Sequence, residues 1–324
     1  MKAVICSRLD GPAALTVGEL PDPQAGPGQV VVAVKSAALN FPDALMVRGL
    51  YQVKPPLPFS PGAELAGIVR AVGEGVERSR VGEAVIGLSG HGACAQLCVV
   101  DAARTMPLPE GIDFDVGAAF ALTYGTALHA LRDVGALQPN ETLAVLGAAG
   151  GTGIAAIECG KVLGARVIAC ASSAEKLALC REHGADEAID YASEDLRARL
   201  DAIAGKRGVD VVFDAVGGAH TESALRATGW RGRLLVIGFA AGEIPRLPLN
   251  LALLKERQIL GVYWGDWTRR DPAGHARNMR DLVDWIRAGR VRPAITERIG
   301  LDGVPGALER MAGRRVLGKV VVNP

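Results

Sequence analysis

Along the first hundred residues the apolar positions fall in short runs separated by glycine, proline and charged residues. Residues 29–39 (QVVVAVKSAAL), 64–76 (ELAGIVRAVGEGV), 82–88 (GEAVIGL) and 95–100 (AQLCVV) have strand length and β-branched content, and turn residues punctuate them. This pattern predicts a compact, mostly β unit. The first long stretch with helical spacing is 115–136, within DVGAAFALTYGTALHALRDVGAL.

From Glu141 the texture changes. Strand-like runs at 143–146, 166–170, 187–189, 209–213 and 234–237 alternate with helical stretches near 153–163, 174–183, 194–204 and 219–228. Short apolar strands alternating with helices imply right-handed crossovers and a doubly wound parallel sheet of the Rossmann type. A further strand at 259–263 should close the sheet and offers an edge for a second subunit. A helix over 275–288 and a β-like tail ending GKVVVNP follow. That tail is too small for a domain and is expected to complete the N-terminal unit. The expected division is therefore 1–120, completed by 263–324, around a Rossmann domain over 121–262, with the active site in the cleft between them.

The first strand-to-helix turn of the Rossmann block reads LAVLGAAGGTG over 143–153. A diphosphate can sit on a helix N-terminus only where backbone N–H groups approach it unobstructed, and Gly150, Gly151 and Gly153 remove the side chains in the way. Ala149 and Thr152 belong to the same turn. In the register Ala148 to Gly153 the first glycine of G-x-G-x-x-G is an alanine. A glycine-rich turn without a ligand is the competing reading of the motif alone.

Composition narrows the partners. The chain has 324 residues, enough for about two domains, and a net charge of +1 with both signs interspersed. No basic stripe points to nucleic acid or an anionic membrane. No apolar run approaches the ~18 residues of a span, and the N-terminus MKAVICSRLD lacks a signal-peptide layout, so a cytoplasmic protein is expected. Cys6, Cys94, Cys98, Cys159, Cys170 and Cys180 are scattered through apolar stretches, as reduced buried cysteines are.

Several stretches together resemble the medium-chain dehydrogenase/reductase superfamily: NFPDALMVRGLY at 40–51, PFSPGAELAG at 58–67, ALTYGTALHAL at 121–131, AAGGTG at 148–153, FDAVGG at 213–218 and GKVVV at 318–322. Within it the chain is similar to the zinc-free NADPH:quinone oxidoreductase-like family and, more distantly, to enoyl reductases. The resemblance implies a GroES-like catalytic domain with an inserted Rossmann domain. Zinc-dependent relatives carry a cysteine where this chain has Asn40 and a histidine where it has Ala63, before Glu64, so two of three expected protein ligands are missing. The four-cysteine structural-zinc lobe is also absent, and His91 with Cys94 makes only an unpartnered pair. Without a Lewis acid, alcohol oxidation is disfavoured. What remains is hydride transfer to an already electrophilic acceptor, a quinone or an alkene conjugated to a carbonyl or thioester.

NAD-specific sites place an acid at the end of the second strand, and here that position reads Ala171-Ser172-Ser173, with Glu175 already in a helical turn. Ser172 and Lys176 can serve a 2′-phosphate, although an N-capping serine and a solvated lysine would read the same. The family places a tyrosine near that phosphate where this chain has Tyr191, and Arg314 matches a family position that approaches it or is simply solvated. NADPH is the expected cofactor.

By resemblance, Asn40 lies near the nicotinamide ribose and Tyr51 faces the substrate, as proton donor or as lid. Asp43 and Glu64 are expected to be structural hydrogen bonders. Thr126 is a candidate cofactor contact or a packing residue, and Gly238 and Phe239 belong to the loop that passes the nicotinamide. Tyr263, Trp264 and Trp267 supply flat surfaces for a substrate, an interface or the core. His129, His183, His220 and His275 are expected at the surface or at helix ends. The leading expectation is a homodimeric, metal-free NADPH:quinone reductase. Its rivals are a short acyl-CoA 2-enoyl thioester reductase and a non-catalytic NADPH-binding protein.

Overall fold

The computed structural model describes residues 1–77 and 79–324. The chain divides into two compact units, Met1–Leu122 with Pro293–Pro324, and Thr123–Arg292.

The first unit begins with a two-stranded ribbon of β1 (Lys2–Ile5) and β2 (Thr16–Glu19). Its main sheet takes in β3 (Gln29–Ala38), β4 (Glu64–Val72), β5 (Ala84–Leu88), β6 (Leu97–Asp101) and β7 (Thr105–Pro107), all paired antiparallel. Val30, Val32 and Val34, on one face of β3, are buried with Leu65, Val69, Val85, Cys98 and Val100 in one apolar core, and Val31 between them is buried too. Between β3 and β4 lies the short helix α1 (Phe41–Met46), started by Pro42 and an acidic Asp43, both favoured in a first turn. Helix α2 (Phe114–Leu128) then carries the chain into the second unit and widens into a π-helical turn over His129–Val134.

The second unit is built on six parallel strands, β8 (Thr142–Leu146), β9 (Arg166–Ala171), β10 (Glu187–Asp190), β11 (Val209–Asp214), β12 (Thr228–Val236) and β13 (Gln258–Gly261). They lie in the order β10-β9-β8-β11-β12-β13, the 3-2-1-4-5-6 arrangement of a dinucleotide-binding fold. All five residues of β8 are buried, which explains why the run lacks alternation: a strand covered on both faces has no polar side. The crossovers carry α3 (Gly151–Val162), α4 (Ala174–Glu182), α5 (Leu196–Ala204), α6 (Ala219–Ala227) and the short α7 (Asn250–Leu253).

Helices α8 (Trp264–Arg270) and α9 (Pro272–Arg287) correct the expected division. The sequence assigns everything after 262 to the first domain, yet both helices pack within the second unit. The reason is a set of contacts with α2 and its π-turn. A Cβ on Gly125 would stand 2.6 Å from the Trp264 ring, so glycine there makes room for the indole. Trp267 stacks on His129 with ring centroids 3.9 Å apart, Arg132 binds Asp281 at 2.7 Å, and Asn278 donates to Asp133 at 2.8 Å. The return to the first unit starts at Pro293. It supplies β14 (Ile295–Ile299), α10 (Val304–Ala312) and β15 (Lys319–Val322), and β15 pairs parallel with β14 and antiparallel with β3. The tail thus completes the first sheet, as its apolar run predicts. All six cysteines are buried, in line with their apolar settings.

Candidate functional site

In an open parallel sheet the ligand crevice lies outside the carboxyl ends of the strands where the order reverses, here at β8 between β9 and β11. The chain leaves Leu146 through Gly147, whose φ of +70° lies in the left-handed region that only glycine enters freely. The tight-turn glycine missing from the Ala148 register is therefore present one residue earlier. Gly153 is required by packing, since a Cβ would stand 2.4 Å from the Gly147 carbonyl oxygen.

Gly150 is different. It caps α3 with an ordinary φ of −79°, and a Cβ there would meet only the Gly147 oxygen, at 3.5 Å. Nothing in the chain demands glycine at 150, whereas close approach of a ligand does. Among the described residues no side chain caps this helix, so the N–H groups of Gly151, Thr152 and Gly153 in its first turn have no helical carbonyl to pair with, the arrangement that suits an anion. Ala149 is buried beneath the turn. The cradle fits a dinucleotide.

Beside it, β9 ends at Ala171 without a carboxylate, and Glu175 is exposed in the first turn of α4. The capping serine is Ser173, whose side chain accepts from Lys176 N at 3.3 Å. Ser172 is thereby released from the capping role that the sequence left open to it. The Lys176 ammonium donates to Ser172 Oγ at 3.0 Å, and the Tyr191 N–H donates to the Ala171 oxygen at 3.0 Å. Serine, lysine and tyrosine, scattered over twenty residues, meet at one strand end. The Tyr191 ring also lies 4.4 Å from that of His220, a neighbour the sequence did not indicate.

At the ends of β11 and β12, buried Asp214 accepts from the Val216 and Gly217 N–H groups at 2.9 Å and from Thr221 Oγ1 at 2.6 Å. This shapes the FDAVGG turn. Gly238 and half-exposed Phe239 follow β12 at the same edge of the sheet. Thr126 is half-buried on α2 in this unit, and Tyr263 is exposed. Trp264 is buried against Gly125, which makes its ring a core element and removes it from the candidate substrate surface. His129 and His183 are likewise buried, against the surface expectation, although His183 does end α4.

The first unit holds a second constellation. Asn40 is 5 % exposed, and its Nδ2 donates to the Glu64 carboxylate at 2.9 Å and to the Ala38 oxygen at 3.3 Å. The Lys319 ammonium donates to Asn40 Oδ1 at 2.8 Å, to Glu64 Oε1 at 2.9 Å and to the Leu39 oxygen at 3.0 Å. Glu64 Oε2 accepts from Leu122 N at 2.9 Å. Both amide hydrogens of Asn40 are thus committed, and only acceptor capacity on Oδ1 remains for a ligand. Lys319, absent from the sequence-derived candidates although it stands in the GKVVV motif, is the centre of the cluster.

Asp43 accepts from the Asn40 N–H at 2.7 Å and the Gly62 N–H at 3.1 Å. Burial raises its carboxyl from 3.8 to about 6, against the opposing pull of those two N–H groups and Lys319. Tyr51 is half-buried on the core of this unit, and Arg314 sits with a left-handed φ of +57° after α10.

Both units match known proteins along their sequence. Residues 26–110 match the model of the alcohol dehydrogenase GroES-like domain, and residues 151–286 that of the zinc-binding dehydrogenases. Quinone oxidoreductase-like protein 2 of Rattus norvegicus is 36% identical over 99% of this chain and 92% of its own length. The chain belongs to the medium-chain dehydrogenase/reductase superfamily, in its quinone oxidoreductase-like family. A quinone oxidoreductase of Pseudomonas aeruginosa is 35% identical, with 100% of this chain and 99% of the relative covered. The Escherichia coli quinone oxidoreductase solved with NADPH superposes with a TM-score of 0.91 at 27% identity, covering 100% of both chains.

Among the described residues of this family member, no three or more His, Cys, Asp or Glu side chains come together as metal ligands. Glu64, the remaining acid of the zinc-site sequence, is already matched to the Lys319 cation, and burial pushes the Cys94 thiol well above its usual range. The donor set does not fit a catalytic zinc.

Two outcomes follow from the buried cluster. Lys319→Met strands the Glu64 charge and should cost about 3–5 kcal/mol in denaturant unfolding, while Lys319→Met with Glu64→Gln, which removes the charge and keeps an acceptor for the Leu122 N–H, should recover part of it; a double variant as unstable as the single would deny the pairing. For Asp43, the native carboxyl keeps its proton between pH 4 and 6 where the unfolded one has lost it, so its contribution to stability falls as pH rises through that window. Between pH 4 and 7 the wild type should lose about 2–3 kcal/mol more than Asp43→Asn, and equal slopes would contradict the raised value.

Proposed function

We propose that the protein is a metal-free, NADPH-dependent reductase that delivers hydride to a quinone or a similarly activated acceptor. The observation that carries this reading is the junction at the end of β9, where Ser172, Lys176 and Tyr191 meet and β9 itself runs out through Ala171, Ser172 and Ser173 without a carboxylate. An acid there would hold a ribose diol and repel a 2′-phosphate, whereas a lysine with a hydroxyl partner binds that phosphate. The Gly150–Gly153 turn would hold the diphosphate. Thr126, Gly238, Phe239, Asn40 and Arg314 remain proposed cofactor contacts. When bound, the nicotinamide supplies the hydride.

The family model that covers the second unit is named for zinc, but the reading here is zinc-independent. Lys319 already satisfies Glu64, and Asn40 and Ala63 supply neither thiolate nor imidazole. An acceptor that delocalises incoming charge into its own oxygen needs alignment, exclusion of water and one proton, and no Lewis acid. Tyr51 is the proposed group facing it; a neutral phenol can polarise a carbonyl or pass that proton.

A homodimer is part of the proposal. Strand β13 ends the sheet with β12 as its one neighbour, and Leu249, Leu253, Leu254 and Tyr263 around it are exposed apolar side chains. Such an edge suits a second copy of the chain. Among the described residues no helix is long and apolar enough to cross a membrane, and a cytoplasmic setting accords with the even charge and buried cysteines.

Steady-state oxidation of NADPH with 1,4-benzoquinone, crotonyl-CoA and acryloyl-CoA separates the readings. Turnover should be fastest with the quinone. The reverse order would make the protein an enoyl thioester reductase, and tight NADPH binding without turnover would make it a binder. Lys176→Ala should weaken NADPH by roughly tenfold or more, the scale of a hydrogen bond to a charged group, and leave NADH nearly unchanged; equal losses would count against the phosphate role.

A further inference from the structure

The chain crosses between its two compact units at Leu122–Thr123 and again at Arg292–Pro293. Both crossings are tied to one carboxylate inside the second unit. Tyr124, two residues beyond the first crossing and 1% exposed, donates its phenolic O–H to Glu158 Oε2 at 2.5 Å. Arg292, the last residue before the second, donates its backbone N–H to the same oxygen at 2.9 Å. The other oxygen, Oε1, takes His183 Nδ1 at 2.7 Å from the end of α4.

Glu158 lies in α3, the helix whose first turn carries the glycine cradle. A carboxylate this deeply buried must have its lone pairs matched. Three donors from three separate segments of the chain do so, and they fix one mutual arrangement, which non-directional apolar packing of small residues would leave free to slide. Burial and the neighbouring Glu158 hold the Tyr124 phenol well above its usual range, so it remains a donor.

We propose that Glu158 is a positioning residue that ties both chain crossings to the nucleotide-binding helix, so that α3 and the two crossings move as one piece. Its link to turnover rests on the reading of α3 as the NADPH cradle. Loosening the anchor leaves the Gly150–Gly153 turn intact and so preserves nucleotide affinity. It disturbs the placement of the reacting groups, to which a transfer step is far more sensitive.

Amide hydrogen exchange of the full chain without nucleotide, followed over 120–130, 286–294 and the control helix 196–204, tests the anchor directly. Tyr124→Phe should raise exchange at the first crossing at least threefold, and Glu158→Gln at both, with the control unchanged. In the same variants kcat should fall roughly tenfold while the Kd for NADPH, read from nucleotide fluorescence, stays within twofold. Exchange that rises equally in the control, or kcat and Kd both unchanged in variants of lowered melting temperature, would reduce Glu158 to a stability residue and overturn the proposal. If Glu158→Gln fails to fold, Tyr124→Phe alone decides the first crossing. Wild type that does not bind NADPH would instead overturn the nucleotide reading, and the exchange result would still decide the anchor.

Discussion

The ion pair between Lys319 and Glu64 is the contact on which the first unit closes. Burying an ammonium and a carboxylate costs several kcal/mol for each ion, and the cost is offset only when every donor and acceptor is matched. Lys319 spends its three hydrogens on Leu39, Asn40 and Glu64, while Glu64 takes Asn40, Lys319 and Leu122. Those partners belong to the end of β3, the start of β4, the body of α2 and the start of β15. Misplacing any one of the four strands a charge in the core, so the pair specifies the arrangement as well as joining it.

The same pair bears on the chemistry. In zinc-dependent relatives the corresponding stretch carries metal ligands, and here its acid already has a cation supplied by the chain. Asn40, which the family resemblance puts beside the cofactor, is held with both its donors committed inward, so any contact it makes outward is as an acceptor. In the second unit a single carboxylate again does the gathering. Glu158 collects Tyr124, His183 and Arg292 as Glu64 collects its own set in the first unit.

The alternating apolar runs from Glu141 onward made the parallel sheet legible, because strands covered on both faces and helices between them leave an unmistakable period change. Glycines made the cradle legible, with one exception of register: the left-handed turn falls at Gly147, and only backbone geometry distinguishes it from its neighbours. Ser172 and Ser173 are chemically identical in sequence, and the structure assigns capping to the second. What the sequence could not show are partnerships over long separations. Lys319 and Glu64 are 255 residues apart, and Glu158 and Arg292 are 134 apart. No local pattern reports them: Glu64 reads as a structural hydrogen bonder, but its partner is identified only when Lys319 is folded onto it. The placement of α8 and α9 failed for the same reason, as it depends on Trp264 finding the space above Gly125.

The central proposal is that the charge-matched stretch around Asn40 and Glu64, poor in metal ligands, serves a reaction that needs no metal. The direct measurement is the rate of NADPH oxidation by 1,4-benzoquinone in protein of known metal content, before and after exhaustive chelation. The account predicts no stoichiometric zinc and an unchanged rate. A rate that is lost with the metal and restored by added zinc would contradict it.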